Sequence, residues 1–487
     1  MKKTTIWSLA IIGFILSIFF LSYRLTQTPN GLTIDEASIG YNAVLLSKNL
    51  HDESGRFLPF FPLTINGHDW KQPITAYSTA IVFKIFGPSL ENLRLVSVIV
   101  GLVSLFLVVY LGYQLLGVGG SFLSGLLFIT TPMVLMHSHL AQENIMPVPF
   151  TMLWLISLFL FSKKNNSWFL FISGISLGLG LYSYKGMRAI IPVWTIITVI
   201  YIFLTNIKKL NKDEILVSFK YCLYFILGIF PFLAIIPWLN THYAGAVFES
   251  SALQPKSFYT FIYPYLSSFD LSALFIKGDS TPWHSTGIYG VFLLSTLPLF
   301  LAGLVKATQK NKFWVFLLIT FLVTPLLFGQ VGSVYRFSRL LVFVPFFVLF
   351  SSLGLITIYQ SKIGKFILPI LSLLFIINFV DFTRYYWFQY PSVEQANFLT
   401  NTEDSYKKLA KIAKEKNLKP FVYVDNFNAE GEVGKFYEAA FFPNDLGRWK
   451  PGDKLPEGSV VMTLLQSQPN LNQIAEPVDN YYFLSNI

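Results

Sequence analysis

Apolar residues along this chain fall into long unbroken runs, unlike the short alternations or one-sided stripes of a water-soluble fold. A helix needs about 20 predominantly apolar residues to cross a bilayer, and about eleven runs approach that length. They cover residues 5–22, 92–116, 121–136, 146–161, 168–183, 189–205, 216–239, 286–304, 313–329, 338–358 and 365–382. This pattern predicts a mainly α, polytopic membrane helix bundle. Two stretches before the second run read differently. Residues Asp35–Asn49 place Ile39, Ala43 and Leu46 at helical spacing behind Thr33, with Glu36 three positions on, which predicts a capping box and an amphipathic helix at the membrane surface. Residues 73–86 are apolar but about six short of a span, so they are expected to lie in the interface or re-enter. From about residue 383 helix-like and strand-like segments alternate: Ser405–Asn417, then Pro420–Asp425 and Ser459–Thr463, with a turn-rich stretch containing Pro451, Gly452, Pro456 and Gly458 between the strands. The chain is therefore expected to divide into a membrane domain, 1–382, with an outer loop over 23–91, and a small α/β domain, 383–487. No internal repeat is visible.

Composition sharpens this picture. Of 487 residues 53% are hydrophobic and 13% charged. A soluble domain carries roughly twice that charged fraction, so an ordinary soluble enzyme is excluded. The formal charge of +10 raises nucleic acid as a partner, and its distribution removes that reading. Residues 1–382 hold 25 Lys and Arg against 13 Asp and Glu, whereas residues 383–487 hold 11 against 13. Threaded from a cytoplasmic N-terminus, the inner loops collect Lys2, Lys3, Lys163, Lys164, Lys208, Lys209, Lys212, Lys306, Lys310, Lys312, Lys362 and Lys365, with only Asp213 and Glu214 opposing. That threading puts residues 23–91, residues 240–285 and the C-terminal domain outside. No small-x-small cleavage site follows the first run, which is read as an uncleaved helix. The lone Cys222 lies in an apolar run, so neither an intrachain disulfide nor a cysteine metal site is expected. Richness in Phe, Ile, Lys and Asn fits an AT-rich genome, and the expected location is a bacterial plasma membrane.

The outer loop carries the chemistry. An Asp35-Glu36 pair in the first turn of a helix favours the helix dipole, which alone explains such a pair. Its company adds more: Gly67-His68-Asp69-Trp70-Lys71-Gln72-Pro73, then Gly87, then Arg94-Leu95. The order and spacing resemble the first extracytoplasmic loop of the GT-C glycosyltransferases, in particular glycosyltransferase family 39, which includes protein O-mannosyltransferases and the aminoarabinose transferases that modify lipid A. In that group an Asp-Glu pair follows the first helix, a Lys-x-Pro or Lys-Pro-Pro element comes a few dozen residues later, and a Gly leads to Arg-Leu. Bacterial members tend to carry Gly-x-Asp-x-Lys-x-Pro. Two positions depart: Trp70 stands where the lipid A enzymes place an acid, and Ser138-His139 followed by Glu143 stands where the family often has Ser-Arg followed by Glu.

The resemblance implies a GT-C-like bundle whose donor is a sugar on a polyprenyl phosphate and whose acceptor is a hydroxyl of a lipid, a protein or a glycan. It implies Asp35, with Glu36, as catalytic, Asp35 being the general base of an inverting displacement. A phosphate leaving group needs fixed cations rather than an acid. The candidates are Lys71, carried over from the motif; Arg336 and Arg339, three apart on one expected helical face; and Lys185 and Arg188 in an outer turn. For each cation, snorkelling to lipid head groups is the plain alternative. Glu143 and Asp69 are candidates for a second acid or for acceptor binding. His137, His139 and Glu143 are poorly spaced as metal ligands, so no cofactor is required, although a divalent metal is compatible. Trp283 and His284 fit a membrane belt or a sugar contact, and Glu249, Asp270 and Asp279 receive no role. The remaining alternatives are a polysaccharide polymerase or ligase using polyprenyl-linked glycans, and a non-catalytic transporter or sensor. Charges avoid the span centres and no repeated halves appear, which disfavours a transporter. Membrane lipids are the expected surroundings, and nucleic acid is not an expected partner.

Overall fold

A chain whose apolar residues run unbroken for whole helices has to satisfy its backbone within each helix and leave its side chains to lipid. The computed structural model of the protein describes residues 3–207, 211–247, 257–332, 334–423, 431–442, 446–450 and 452–486. Lys2, Lys208, Lys209, Glu249, Asp425 and Pro451 lie outside the described residues. Among the described residues, seven helices are long and apolar enough to cross a membrane: Leu90–Ile129, Glu143–Lys164, Met187–Asn206, Lys212–His242, Lys312–Gln330, Phe343–Gln360 and Gly364–Phe388. Shorter apolar helices cover Ala10–Ser22, Pro73–Phe86, Trp168–Leu181 and Leu294–Thr308. Gly364–Phe388 has only 11% of its apolar window buried, leaving Ile370, Leu373, Leu374, Ile376 and Ile377 exposed. Water does not tolerate a continuous apolar surface of that size, and a bilayer requires it. The protein is an integral membrane protein.

Three of the expected runs are built differently from a simple span. Helix Leu90–Ile129 breaks at Gly117, whose φ of 74° no helix accommodates, so the runs over 92–116 and 121–136 are two helical segments joined at that glycine. The second ends before Pro132, which opens a short helix, Pro132–Ser138. The run over 286–304 is not one helix. Its first part is irregular because Gly290 sits against the Phe275 backbone, where any Cβ would come within 2.3 Å, and regular α-helix begins only at Leu297.

By packing, the chain forms two compact units, Met1–Arg24 with Ser97–Tyr390, and Leu25–Val96 with Pro391–Ile487. In the first unit the helices meet through aromatic side chains. Trp154 and Trp194 stack 4.6 Å apart, and each indole N–H finds a threonine hydroxyl, Thr198 and Thr324, so neither polar atom is stranded.

The second unit holds the β structure. A two-residue hairpin pairs β1 (Leu63–Thr64) with β2 (Asp69–Trp70). The larger sheet uses β3 (Lys419–Tyr423), β4 (Gly447–Trp449), β5 (Ser459–Thr463), β6 (Asn472–Val478) and β7 (Tyr481–Ser485) in the order β4-β3-β5-β7-β6. Strand β3 runs parallel to β4 and β5, while β7 is antiparallel to β5 and β6. Trp449, Leu455, Val461 and Leu484 form a core on this sheet. Helix Glu403–Glu415 buries Tyr406, Leu409 and Ile412 on one face, as its spacing predicts.

The sequence reading joins the outer loop to the membrane domain; by packing, residues 25–96 group with residues 391–487. Helix Ile34–Asn49 lies on helix Glu432–Phe441, Leu32 pairs with Leu399 through two backbone hydrogen bonds, and the Leu90 amide donates to the Glu403 carboxylate at 2.8 Å. Periodicity reveals that a helix has an apolar face; it does not reveal which distant segment covers that face.

Candidate active site

Thr33 starts the helix that carries the two acids. Its hydroxyl accepts from the Glu36 amide at 3.1 Å, and the Glu36 carboxylate accepts from the Thr33 amide at 3.0 Å, the expected capping box. Successive helical residues project about 100° apart, so Asp35 and Glu36 meet different surroundings. Asp35 is 51% exposed, and Glu36 is fully buried.

Glu36, expected beside Asp35 in the chemistry, is buried. One carboxylate oxygen accepts from Arg94 Nε at 2.9 Å while the other completes the capping box, so neither faces solvent. The Arg94 guanidinium, itself fully buried, spends its remaining N–H groups on the carbonyls of Leu25 (2.9 Å), Pro29 (3.0 Å) and Gly31. A buried carboxylate demands such a partner, and five fixed donors demand such a set of acceptors. Glu36 and Arg94 thus form the frame on which the Leu25–Asp35 segment is folded.

Lys71 follows the β1–β2 hairpin, its amide donating to the Pro62 carbonyl at 3.0 Å. Its ammonium is buried, with 5% of the side chain exposed, and donates to Asp35 Oδ1 and to Asp69 Oδ2, the latter at 2.7 Å. A desolvated ammonium is stable only with paired anions, and here one cation serves two carboxylates. In this structure the Lys71 ammonium is paired with both carboxylates. It anchors Asp35 by one oxygen and leaves that carboxylate half exposed.

The other sequence candidates lie in the first unit. Arg336 and Arg339 do not share an α-helical face: Tyr335 has φ 53°, Arg336 is non-helical, and Arg339 sits in the short 3-10 turn Phe337–Leu340. Arg188 belongs to the first turn of helix Met187–Asn206, beyond the turn that holds Lys185, and its guanidinium donates to the Ala246 and Val247 carbonyls. Glu143 opens the 3-10 turn Glu143–Ile145. Arg339, Glu143, Arg336 and Asp279 all act on the Tyr184 phenol, which burial pushes well above its ordinary value and Arg339 pulls back.

Asp279 receives no role from the sequence. Asp279 accepts from the Thr281 amide at 2.8 Å and from the Ser338 amide at 2.6 Å, while Asn144 donates to the Ser338 carbonyl at 2.9 Å. These bonds fix the turn that bears Arg339. The Asp-Ser-Thr-Pro order is an Asx-turn signal that could have flagged Asp279. His137 and His284 stack with ring centroids 5.1 Å apart, and burial holds each imidazole neutral, down to about 3. Among the described residues no three His, Cys, Asp or Glu side chains stand close enough to hold a metal ion. His137 Nδ1 is engaged by the Met133 carbonyl and His139 Nδ1 by the Tyr386 hydroxyl. The structure thus joins Asp35, Glu36, Asp69 and Lys71 within the second unit, and keeps Glu143, Lys185, Arg188, Arg336 and Arg339 within the first.

Comparison with known proteins adds the family context. The model of the dolichyl-phosphate-mannose-protein mannosyltransferase family matches residues 71–238. Crystal structures of ArnT from Cupriavidus metallidurans superpose over nearly the whole chain. The apo form gives a TM-score of 0.58 at 10% identity, covering 99% of this chain and 97% of that one. The form bound to undecaprenyl phosphate gives 0.58 at 10% identity, covering 98% of each. The oligosaccharyltransferase of Archaeoglobus fulgidus, in complex with Zn and sulfate, gives 0.49 at 13% identity, covering 88% of this chain and 61% of that one. No curated protein sequence matches the chain. The fold is that of ArnT, a mainly α membrane bundle with a small C-terminal sheet domain, and the chain resembles the GT-C glycosyltransferases of family 39.

Proposed function

From the GT-C fold that this chain shares with ArnT, we propose that it is a membrane glycosyltransferase moving a sugar from a polyprenyl-phosphate donor to an acceptor hydroxyl on the extracytoplasmic face, with inversion. The observation that carries the reading is the half-exposed Asp35 carboxylate, held by a buried lysine at one oxygen and open at the other. Asp35 takes the proton of the acceptor hydroxyl as that oxygen bonds to the anomeric carbon. The bond from that carbon to the phosphate oxygen breaks, and the polyprenyl phosphate leaves with the electron pair. Phosphate is a weak base, so its departure needs no proton donor, only positive charge nearby.

In this mechanism Lys71 is a positioning residue, because its ammonium fixes which oxygen of Asp35 stays available, and Glu36 acts through Arg94 on the backbone that presents Asp35. Arg336, Arg339, Lys185 and Arg188 are the proposed cations for the carrier phosphate, Arg188 also donating to the Ala246 and Val247 carbonyls. Glu143, beside Tyr184, is the proposed second acid. The lysines expected on the inner loops support the outward orientation. The test is incubation of the purified protein with a panel of undecaprenyl-phosphate hexoses and pentoses and a mixture of lipid, peptide and glycan acceptors. Release of the carrier phosphate from at least one donor is expected, and intact donors throughout would overturn the reading.

A further inference from the structure

We infer that the second unit carries a carbohydrate subsite, a cleft that takes one sugar ring of a glycan acceptor; as an acceptor site it rests on the glycosyltransferase reading above. The cleft, of about 190 Å³, is bounded by Asn30, Gln395, Phe398, Thr400, Asn401, Asp479 and Asn480. Ligand pockets for drug-sized molecules run to about 300 Å³ and more, so this one suits a single ring.

The lining chemistry selects the ligand. Among the described residues it holds no lysine or arginine, which leaves a phosphate or sulfate without a counter-charge. Its polar groups are three asparagines, a glutamine and a threonine, each of which both donates and accepts hydrogen bonds, and one carboxylate that accepts. A sugar hydroxyl has the same dual character, and neighbouring hydroxyls on a ring pair with a carboxamide through two bonds.

A polar surface hollow with loose walls would be plain solvated loop; here the walls at Asn30, Asn401 and Asp479 are tied down. Asn30 lies between Pro29 and Gly31, whose carbonyls both accept from the buried Arg94. Leu32 and Leu399 exchange backbone hydrogen bonds of 2.9 and 2.7 Å, locking the two chain segments of the cleft together. Asn401 Oδ1 accepts from the Tyr437 hydroxyl at 2.7 Å and from the Glu403 amide at 3.0 Å, which leaves its NH₂ for a ligand. Asp479 Oδ2 accepts from Ser405 at 3.0 Å, leaving Oδ1. Fixed donors and acceptors lower the ordering cost of binding. The same Arg94 joins the Asn30 wall to Glu36, the residue next to Asp35, so the cleft and the candidate base share one buried frame.

Binding without donor separates this proposal from the transfer reaction. The full chain in detergent is titrated with the methyl glycosides of mannose, glucose, galactose and N-acetylglucosamine, observed by saturation-transfer NMR. At least one glycoside is expected to bind, and Gln395→Ala with Asn480→Ala, both exposed, should weaken it roughly tenfold. This binding needs no donor, so a failed transfer assay leaves the result standing on its own. Absence of binding by all four glycosides overturns the proposal. So does binding that the double variant leaves unchanged, or displacement of the glycoside by inorganic phosphate or by a serine-containing peptide.

Discussion

Arg94 is the residue on which the outer loop is folded. Its guanidinium meets Glu36 and three carbonyls at zero exposure, a geometry that a lysine, with one ammonium on a flexible stem, cannot reproduce. Arg94→Lys is expected to cost about 3 kcal/mol or more in unfolding free energy, measured by thermal or chemical denaturation, because Glu36 and the carbonyls lose partners while still buried. A cost below about 1 kcal/mol would show that the frame is not needed. The His137–His284 pair makes a second residue-scale prediction, about pH. Burial lowers each imidazole from its ordinary 6.5 to about 3, helped for His284 by Arg336 and Arg339. The folded state therefore binds fewer protons than the unfolded one between those values, so the pair contributes full stability above pH 6.5 and loses it as the pH falls toward 3. The melting temperature should drop more steeply between pH 7.5 and 5 in the parent than in a His137→Gln/His284→Gln variant.

At the scale of elements, helix Ile34–Asn49 was legible from its apolar spacing and Thr33 cap, and helix Pro73–Phe86 from its length and its Pro at the first position. Their cover was not. A Cβ on Gly40 would stand 3.0 Å from two ring atoms of Phe436, and the Phe436 ring in turn stacks on Phe83 at 6.0 Å. Nothing in residues 34–86 announces a phenylalanine some four hundred positions on. Gly40→Leu is expected to force the helices apart and to cost about 1–3 kcal/mol, read as a lowered melting temperature, with Phe436→Ala in the same chain recovering part of the loss. The arginine pair shows the opposite failure. A three-residue spacing inside an apolar context reads as helix, but the preceding helix ends at Val331 with Gly332 left-handed, Tyr335 is left-handed too, and the turn bearing Arg339 is tied by Asp279 and Asn144.

For the whole molecule, long apolar runs were enough to announce a membrane protein, and the Asp-Glu, Lys-x-Pro and Arg-Leu order was enough to find Asp35, Lys71 and Arg94. Their pairing was not visible, because burial decides it: Lys71 is paired with two carboxylates, and Glu36, next to Asp35, is closed off by an arginine. The grouping of residues 25–96 with 391–487 has a direct consequence. A chain ending at Tyr390 removes Phe436 and Glu403 from the outer loop while leaving every helix of spanning length, so it should still insert in membranes but lose sugar transfer and show rapid proteolysis within residues 25–96. Retained transfer by the truncated chain would separate the C-terminal segment from the site.

The most direct measurement concerns Asp35 itself. Purified Asp35→Asn protein, checked for an unchanged melting temperature, is compared with the parent for transfer of labelled sugar from the polyprenyl-phosphate donor identified in the panel. A general base contributes about 10²–10⁴ in rate, so the variant should fall by at least a hundredfold. Transfer within about threefold of the parent would contradict the account.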